Sequence, residues 1–213
     1  MPSNPTAEAW RLIANPAAGG GRGLRLARRA AALLKQAGRP VELCFTQGPG
    51  HAADLARESV SAGAERVLVC GGDGTVREVV PALAGRGTAL GLLPFGTAND
   101  FARALRIPRR LRSAVRILLE GRPQPVDLGR AGEHLFCTVA AFGFDAEVSQ
   151  IMSLGQAPLA GTLGYLMTAL GHLAAYRPCP TRLTGEFGQV EGLFFLVAAA
   201  NTPSYGGGLP IVP

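Results

Sequence analysis

The chain of 213 residues has almost no lysine: Lys35 stands alone beside twenty arginines. Because that lysine lies outside every glycine run, the G-x-x-x-x-G-K-[ST] phosphate loop is excluded. Cysteine is sparse as well. Cys44, Cys70, Cys137 and Cys179 form no C-x-x-C pair, and His51, His134 and His172 do not cluster with them, so a zinc–thiolate centre is excluded. Three of the four cysteines fall in apolar, strand-like stretches, which predicts free buried thiols in a reducing compartment. No run reaches the roughly 18 apolar residues of a membrane-spanning helix. The first residues carry no basic region followed by an apolar one, so no secretion signal is read there. Aromatic residues make up only 6% of the chain, yet 47% is hydrophobic, spread as Ala, Leu and Val, which is the composition of a packed core.

What charge there is is segregated. Residues 1–125 hold 18 basic and 9 acidic side chains, net +9, whereas residues 126–213 hold 3 and 6, net −3. A positive half favours anionic partners: nucleotide phosphates, nucleic acid or an acidic membrane surface. Arg22, Arg25 and Arg29 fall on one side of the first predicted helix, and Arg106, Arg109, Arg110, Arg112 and Arg116 cluster later. Near an anionic leaflet each contributes about 1 kcal/mol of attraction. The basic segments have few interleaved aromatics for stacking on bases, which argues against nucleic acid.

Short apolar runs at 10–14, 41–46, 67–70 and 89–93 read as strands. Helical spacing follows them at 24–37, 51–62, from 75, at 99–105 and at 109–120. Strands alternating with helices predict crossover units and a parallel sheet covered on both faces. The expected fold class is α/β: a three-layer, doubly wound, mostly parallel sheet domain over residues 1–125. After Arg122-Pro123-Gln124-Pro125 the pattern changes. Strands at 126–130 and 134–141 pair across 131–133, a helix covers 162–176, and a long strand lies within 190–200. This predicts an incomplete, mainly β, sandwich-like second domain over residues 126–213, cut inside its fold, because residues 205–213 bring no cap, charged tail or closing strand.

In doubly wound sheets ligands bind beyond the carboxyl ends of the strands. The glycine turns fall there: Asn15–Gly21 after the first strand, Gly71-Gly72-Asp73-Gly74 after the third, Pro94–Gly96 after the fourth. Glycine reaches positive φ and lets backbone approach an anion, and the unpaired N–H groups of a helix start attract one. Asp73 sits where a carboxylate meets a phosphate-bound Mg²⁺. Thr75 and Glu78 read as a T-x-x-E capping box, and Pro81 is expected to kink or shorten the helix that follows.

Four motifs follow one another in order: Asn15-Pro16-x-x-Gly19-Gly20; Thr46 with Gly50-His51-Ala52; Gly71-Gly72-Asp73-Gly74-Thr75-x-x-Glu78-Val79; and Leu93-Pro94-x-Gly96-Thr97-x-Asn99-Asp100-Phe101-Ala102-Arg103. Together they resemble the diacylglycerol kinase catalytic family, above all the soluble bacterial lipid kinases, with sphingosine and ceramide kinases as cousins. The likeness runs on through Val126-Asp127-Leu128-Gly129, Phe142-Gly143-Phe144-Asp145 and Tyr205-Gly206-Gly207-Gly208. NAD kinases and phosphofructokinases use close variants of the first glycine motif, but not the segment from Gly96 to Arg103. The resemblance implies that ATP is cradled by Asn15, Pro16, Ala17, Ala18, Gly19, Thr46, Gly72, Asp73, Gly74, Thr75, Val76, Arg77, Glu78 and Thr97. It implies that Asp73, Asp100 and Asp127 form the catalytic carboxylate and water network around Mg²⁺. The implied reaction moves the γ-phosphoryl group of ATP to a lipid hydroxyl, with diacylglycerol giving phosphatidic acid. The implied location is cytoplasmic with transient membrane association, and a homodimer is left open. Two departures stand out: Arg77 occupies a position where the family has Asn, and the family's catalytic base lies beyond the Tyr-Gly-Gly-Gly segment. The alternatives are a nucleotide-binding module without turnover and an enzyme of the NAD kinase kind.

Overall fold

The computed structural model describes residues 10–154 and 161–211. Four parallel strands form the central sheet: β1 (Trp10–Ala14), β2 (Val41–Phe45), β3 (Arg66–Gly71) and β4 (Ala89–Pro94), in the order β2-β1-β3-β4. Each is a short apolar run because both of its faces are covered, and alternate side chains enter different layers. Leu12, Leu68 and Leu93 pack on one side with α2 (Gly23–Gln36) and α6 (Leu111–Glu120); Ile13, Val67, Val69 and Leu92 pack on the other with α3 (His51–Ser61), α4 (Asp73–Leu83) and α5 (Asp100–Ala104). The fold is therefore α/β, with helices on both faces of a parallel sheet. A short turn of helix, α1 (Ala18–Gly21), precedes α2.

The described chain divides into two compact units: residues up to Thr138 together with those from Thr202, and Val139–Asn201. The first also holds the antiparallel pairs β5 (Gly129–Ala131) with β6 (His134–Phe136) and, far along the chain, β11 (Ser204–Tyr205) with β12 (Leu209–Pro210). The second is β-rich. In it β7 (Val139–Gly143) pairs with β10 (Leu196–Ala200), and β8 (Cys179–Gly185) pairs with β9 (Gly188–Phe194), around the helices α7 (Phe144–Ser153) and α8 (Gly161–Leu173).

Several local expectations are corrected. The strand expected at 126–130 begins only at Gly129, leaving Asp127 exposed in irregular chain. The run 134–141 breaks into β6 and β7, and 190–200 into β9 and β10, because each piece pairs with a different partner. The capping box does not form. Gly72, not Thr75, caps α4, and its carbonyl accepts the N–H groups of both Thr75 and Val76 at 3.1 Å. Pro81 is carried inside α4, which runs on to Leu83.

Candidate functional site

Three turns meet at the carboxyl ends of the strands. The first leaves β1, where the Asn15 N–H donates to the Cys70 carbonyl (3.0 Å) and ties the turn to the tip of β3. The Asn15 side-chain oxygen accepts the Ala17 N–H at 2.9 Å, folding the chain back on itself. Gly19 and Gly20 then take φ of 63° and 68°, and a Cβ on Gly19 would lie 2.6 Å from the Phe95 carbonyl oxygen. Arg22 holds the turn from outside, its Nε donating to the Gly19 carbonyl (2.8 Å).

The second turn leaves β2. The Thr46 N–H donates to the Ala14 carbonyl (2.9 Å), and the Gln47 N–H donates to His51 Nδ1 (3.0 Å), so that ring nitrogen is an acceptor. Glu78 accepts the Ala52 N–H at 3.2 Å, which is the role it takes instead of a cap.

The third wall is the meeting of the turns after β3 and β4. The Gly71 carbonyl accepts the N–H groups of Phe95 (2.9 Å) and Gly96 (3.2 Å). A Cβ on Gly96 would stand 2.3 Å from the Gly72 Cα, so these two backbones touch only because both residues are glycine. The expectation of positive φ holds at Gly19 and Gly20 and fails at Gly72, whose φ is −107°. Asn99, buried and left-handed at φ 54°, locks the turn: it accepts the Gly96 N–H (2.8 Å) and donates to the Gly96 carbonyl (2.7 Å). Arg109 donates to that same carbonyl at 3.0 Å.

Between the turns lies an open cleft of about 570 Å³. Of the residues expected to cradle a nucleotide, Asn15, Pro16, Ala17, Ala18, Gly19, Thr46, Gly72, Gly74, Thr75, Glu78 and Thr97 line it. Val76 is buried in the core beneath, Arg77 is exposed, and neither they nor Asp73 line the cleft. Gly20, Ala52 and Gly96, which stand in the motifs but outside the expected ATP cradle, line it too, as do Gln47, Gly48 and Pro49. Their signal was adjacency to the motif residues, since a turn contributes its whole backbone to a wall. Helix α4 starts at this edge; the Gly72 carbonyl takes the Thr75 and Val76 amides, and the Asp73 and Gly74 amides before them have no helical carbonyl to accept them.

Asp73, between the lining residues Gly72 and Gly74, turns its Oδ1 to accept the Phe101 N–H (3.2 Å) at the start of α5. Asp100 is buried, and both its oxygens accept the Gly207 N–H, at 3.1 and 3.0 Å. Burial holds the Asp100 pKa above the ordinary aspartate value; the Gly207 N–H pulls it down and the charge of Asp73 pushes it up again. The two carboxylates thus share one electrostatic neighbourhood. Among the described residues no three His, Cys, Asp or Glu side chains come together as metal ligands, and Asp127 is exposed in the chain before β5. A pair of carboxylates fits Mg²⁺ bound in the way it prefers, through one or two carboxylates, water and substrate phosphates.

Fold and cleft define a class: a parallel α/β domain whose ligand cleft is walled by glycine turns and the amino end of a helix. The profile of the diacylglycerol kinase catalytic domain matches residues 9–131, and that of the YegS C-terminal NAD kinase beta sandwich-like domain matches residues 138–213. The chain belongs to the diacylglycerol kinase catalytic domain family. It is 36% identical over 188 residues to the protein named "Probable lipid kinase YegS-like" of Pseudomonas putida KT2440, covering 87% of this chain and 63% of that one. It is 37% identical over 210 residues to the "Diacylglycerol kinase" of Mycobacterium tuberculosis, covering 94% and 67%. A crystal structure of a diacylglycerol kinase from Bacillus anthracis str. Sterne superposes with a TM-score of 0.72 at 26% identity, covering 95% of this chain and 67% of that one. The chain spans 62–63% of the length of the YegS-like relatives of Pseudomonas.

Proposed function

We propose that this chain carries the nucleotide site of an ATP-dependent lipid kinase, which moves the γ-phosphoryl group of ATP to the hydroxyl of diacylglycerol and yields phosphatidic acid. The observation that carries this reading is the cleft of about 570 Å³ at the strand tips, walled by Asn15–Gly20, Thr46–Pro49, Gly72, Gly74 and Thr75. Its glycines let backbone come close to phosphate oxygens, and the first two amides of α4, at Asp73 and Gly74, give them donors. Asp73 and Asp100 would hold Mg²⁺, which, when bound, neutralises charge on the transferring phosphoryl group. In this family transfer depends mainly on position. Asn99 and Arg109 keep the Gly96 turn in place, Glu78 ties α3 to α4, and the Gly207 amide aims the Asp100 carboxylate. The exposed arginines of α2 and α6 add attraction to the anionic surface where the lipid acceptor resides.

Calorimetry with ATP and Mg²⁺, run beside radiolabelled phosphate transfer to dispersed diacylglycerol, tests the reading. Asp73→Asn is expected to lower transfer by about 10²-fold or more while the protein still binds ATP. No heat from ATP in the folded wild type, or transfer unchanged in Asp73→Asn, would overturn it.

A further inference from the structure

The turn that leaves β2 is held from inside the helix that follows it. Its residues, Gln47-Gly48-Pro49-Gly50, are all exposed. Pro49 has no N–H with which to tie the turn down. A Cβ built on Gly48 or Gly50 would meet nothing within 4 Å, so packing does not brace those two points. Gly50, left-handed at φ 82°, is the cap of α3 and brings no side chain to the task. His51 takes the task over. Its N–H donates to the Gly48 carbonyl (3.3 Å), and its ring reaches back to accept the Gln47 N–H on Nδ1 at 3.0 Å. Gln47, Gly48 and Pro49 line the cleft, whereas His51 stands behind them and does not. An accepting nitrogen carries a lone pair and no proton, so the ring that closes this turn is neutral, with its proton on Nε2. Both nitrogens of a protonated ring are donors, and Nδ1 would then meet the Gln47 amide donor to donor.

We propose that His51 is a positioning residue of the nucleotide cleft: neutral, it holds the wall formed by Gln47, Gly48 and Pro49; protonated, it lets that wall go, so that acid pH weakens ATP binding through this one ring. The proposal rests on the ATP reading of the cleft and adds to it a control by protons. Because the ring does not line the cleft, it acts on the ligand through the wall and not by its own charge. Helix α3 packs against α4 and β1, and the charged groups on these three elements are otherwise engaged or apart. Asp54 pairs with Arg57, Glu58 with Arg11 of β1, Asp73 accepts the Phe101 N–H, Glu78 accepts the Ala52 N–H, and Arg77 is exposed. None of them accepts the Gln47 N–H, so protonation of the ring leaves that amide without its acceptor. Imidazole is the side chain that changes charge between about pH 5 and 8, where such a control operates.

The test is calorimetry with ATP and Mg²⁺ at about pH 8 and about pH 5.5 on the wild type, His51→Asn and His51→Phe. The asparagine side-chain oxygen stands where Nδ1 stands, accepts a hydrogen bond and does not titrate, whereas phenylalanine keeps an aromatic ring and accepts nothing. At the higher pH the wild type and His51→Asn are expected to bind ATP alike, and His51→Phe about two- to tenfold more weakly, the worth of one hydrogen bond. At the lower pH the wild type is expected to fall to the level of His51→Phe while His51→Asn keeps its lead. Protonation of the nucleotide itself acts on all three proteins alike, so the ratios between them isolate the ring. A second readout needs no nucleotide: nitrogen NMR of the free protein labelled at histidine is expected to place the proton of the neutral His51 ring on Nε2.

A constant ratio between the wild type and His51→Asn at both pH values would overturn the proposal, and this comparison decides even where His51→Phe does not fold. A wild type that gains on His51→Asn toward acid pH would also overturn it, since the ring would then be a charge contact of the ligand. So would a proton found on Nδ1 of the neutral ring. The two readings fail in different ways. No ATP binding by any of the three folded proteins at either pH overturns the nucleotide reading, and this proposal with it, whereas ATP bound with parallel pH profiles overturns the role of His51 alone.

Discussion

Single residues set the cleft, and two of them do so by lacking a side chain. Gly72 and Gly96 let two turns meet backbone to backbone, so Gly96→Ala must push Gly72 or Asn99 aside. That substitution is expected to destabilise the protein by about 1–3 kcal/mol in a denaturant titration and to weaken ATP binding in calorimetry. Asp100 gives a prediction with a sign. Its raised pKa means that the native state keeps this proton to higher pH than the unfolded chain does. Native stability is therefore present in full at acid pH and is lost as pH rises from the ordinary aspartate range through the folded pKa. In buffer free of divalent cations, Asp100→Asn keeps an acceptor for the Gly207 N–H and removes this dependence, so its Tm is expected to fall less than that of the wild type between acid and neutral pH. A wild type and variant with parallel Tm profiles would contradict it. The glycine positions were legible in the sequence, because a G-G-D-G run after an apolar strand has few other uses. Their reason was not: positive φ serves at Gly19 and Gly20, whereas Gly72 and Gly96 serve close approach, which depends on a neighbour more than twenty residues away.

At the scale of elements, the strands of the sheet were legible because burial on both faces leaves an uninterrupted apolar run that needs no partner to be seen. Leu68 in β3 has no exposed surface, and Leu68→Ala is expected to cost about 2–5 kcal/mol, against less than about 0.5 kcal/mol for Leu24→Ala at the exposed edge of α2; urea titration of both variants checks the contrast. The start of α4 departs from its sequence pattern for a local reason. Thr75 and Glu78 have the spacing of a capping box, but Gly72 enters the helix in extended conformation and takes over as cap, leaving Glu78 to bind the Ala52 amide across to α3. The second unit was harder still. Its strands β9 and β10 are neighbours in sequence that pair with different partners, β8 and β7, so one apolar run hides two strands. Helix α7 and strand β8 had no sequence signal of their own, since the polar face of α8 and the strand β9 complete them from outside.

For the molecule as a whole, the thiols report how cooperatively the first unit unfolds. Burial pushes the Cys70 thiol up to about 12 and, with the charge of Asp73, the Cys137 thiol up to about 11. A raised pKa lowers the thiolate fraction, which increases tenfold for each unit of rising pH below that value. At mildly alkaline pH these two thiols are expected to react with a disulfide reagent only as fast as the unit opens, while the half-buried Cys44 and Cys179 react earlier. Two-phase labelling followed by mass spectrometry would check this, and early labelling at Cys70 would contradict it. The sequence by itself determined the alternation of strands and helices, the order of the glycine turns and the family, because each is written in neighbouring residues whose spacing follows the period of a strand or a helix. Only the tertiary structure decided that the Gly207 amide, 107 residues further on, returns to hold Asp100, that Asp127 lies exposed in irregular chain rather than in a strand, and that the leucines of α8 face outward. Periodicity states which residues share a face. Which way that face turns is settled by contacts between distant segments, and those contacts exist only once the chain has folded.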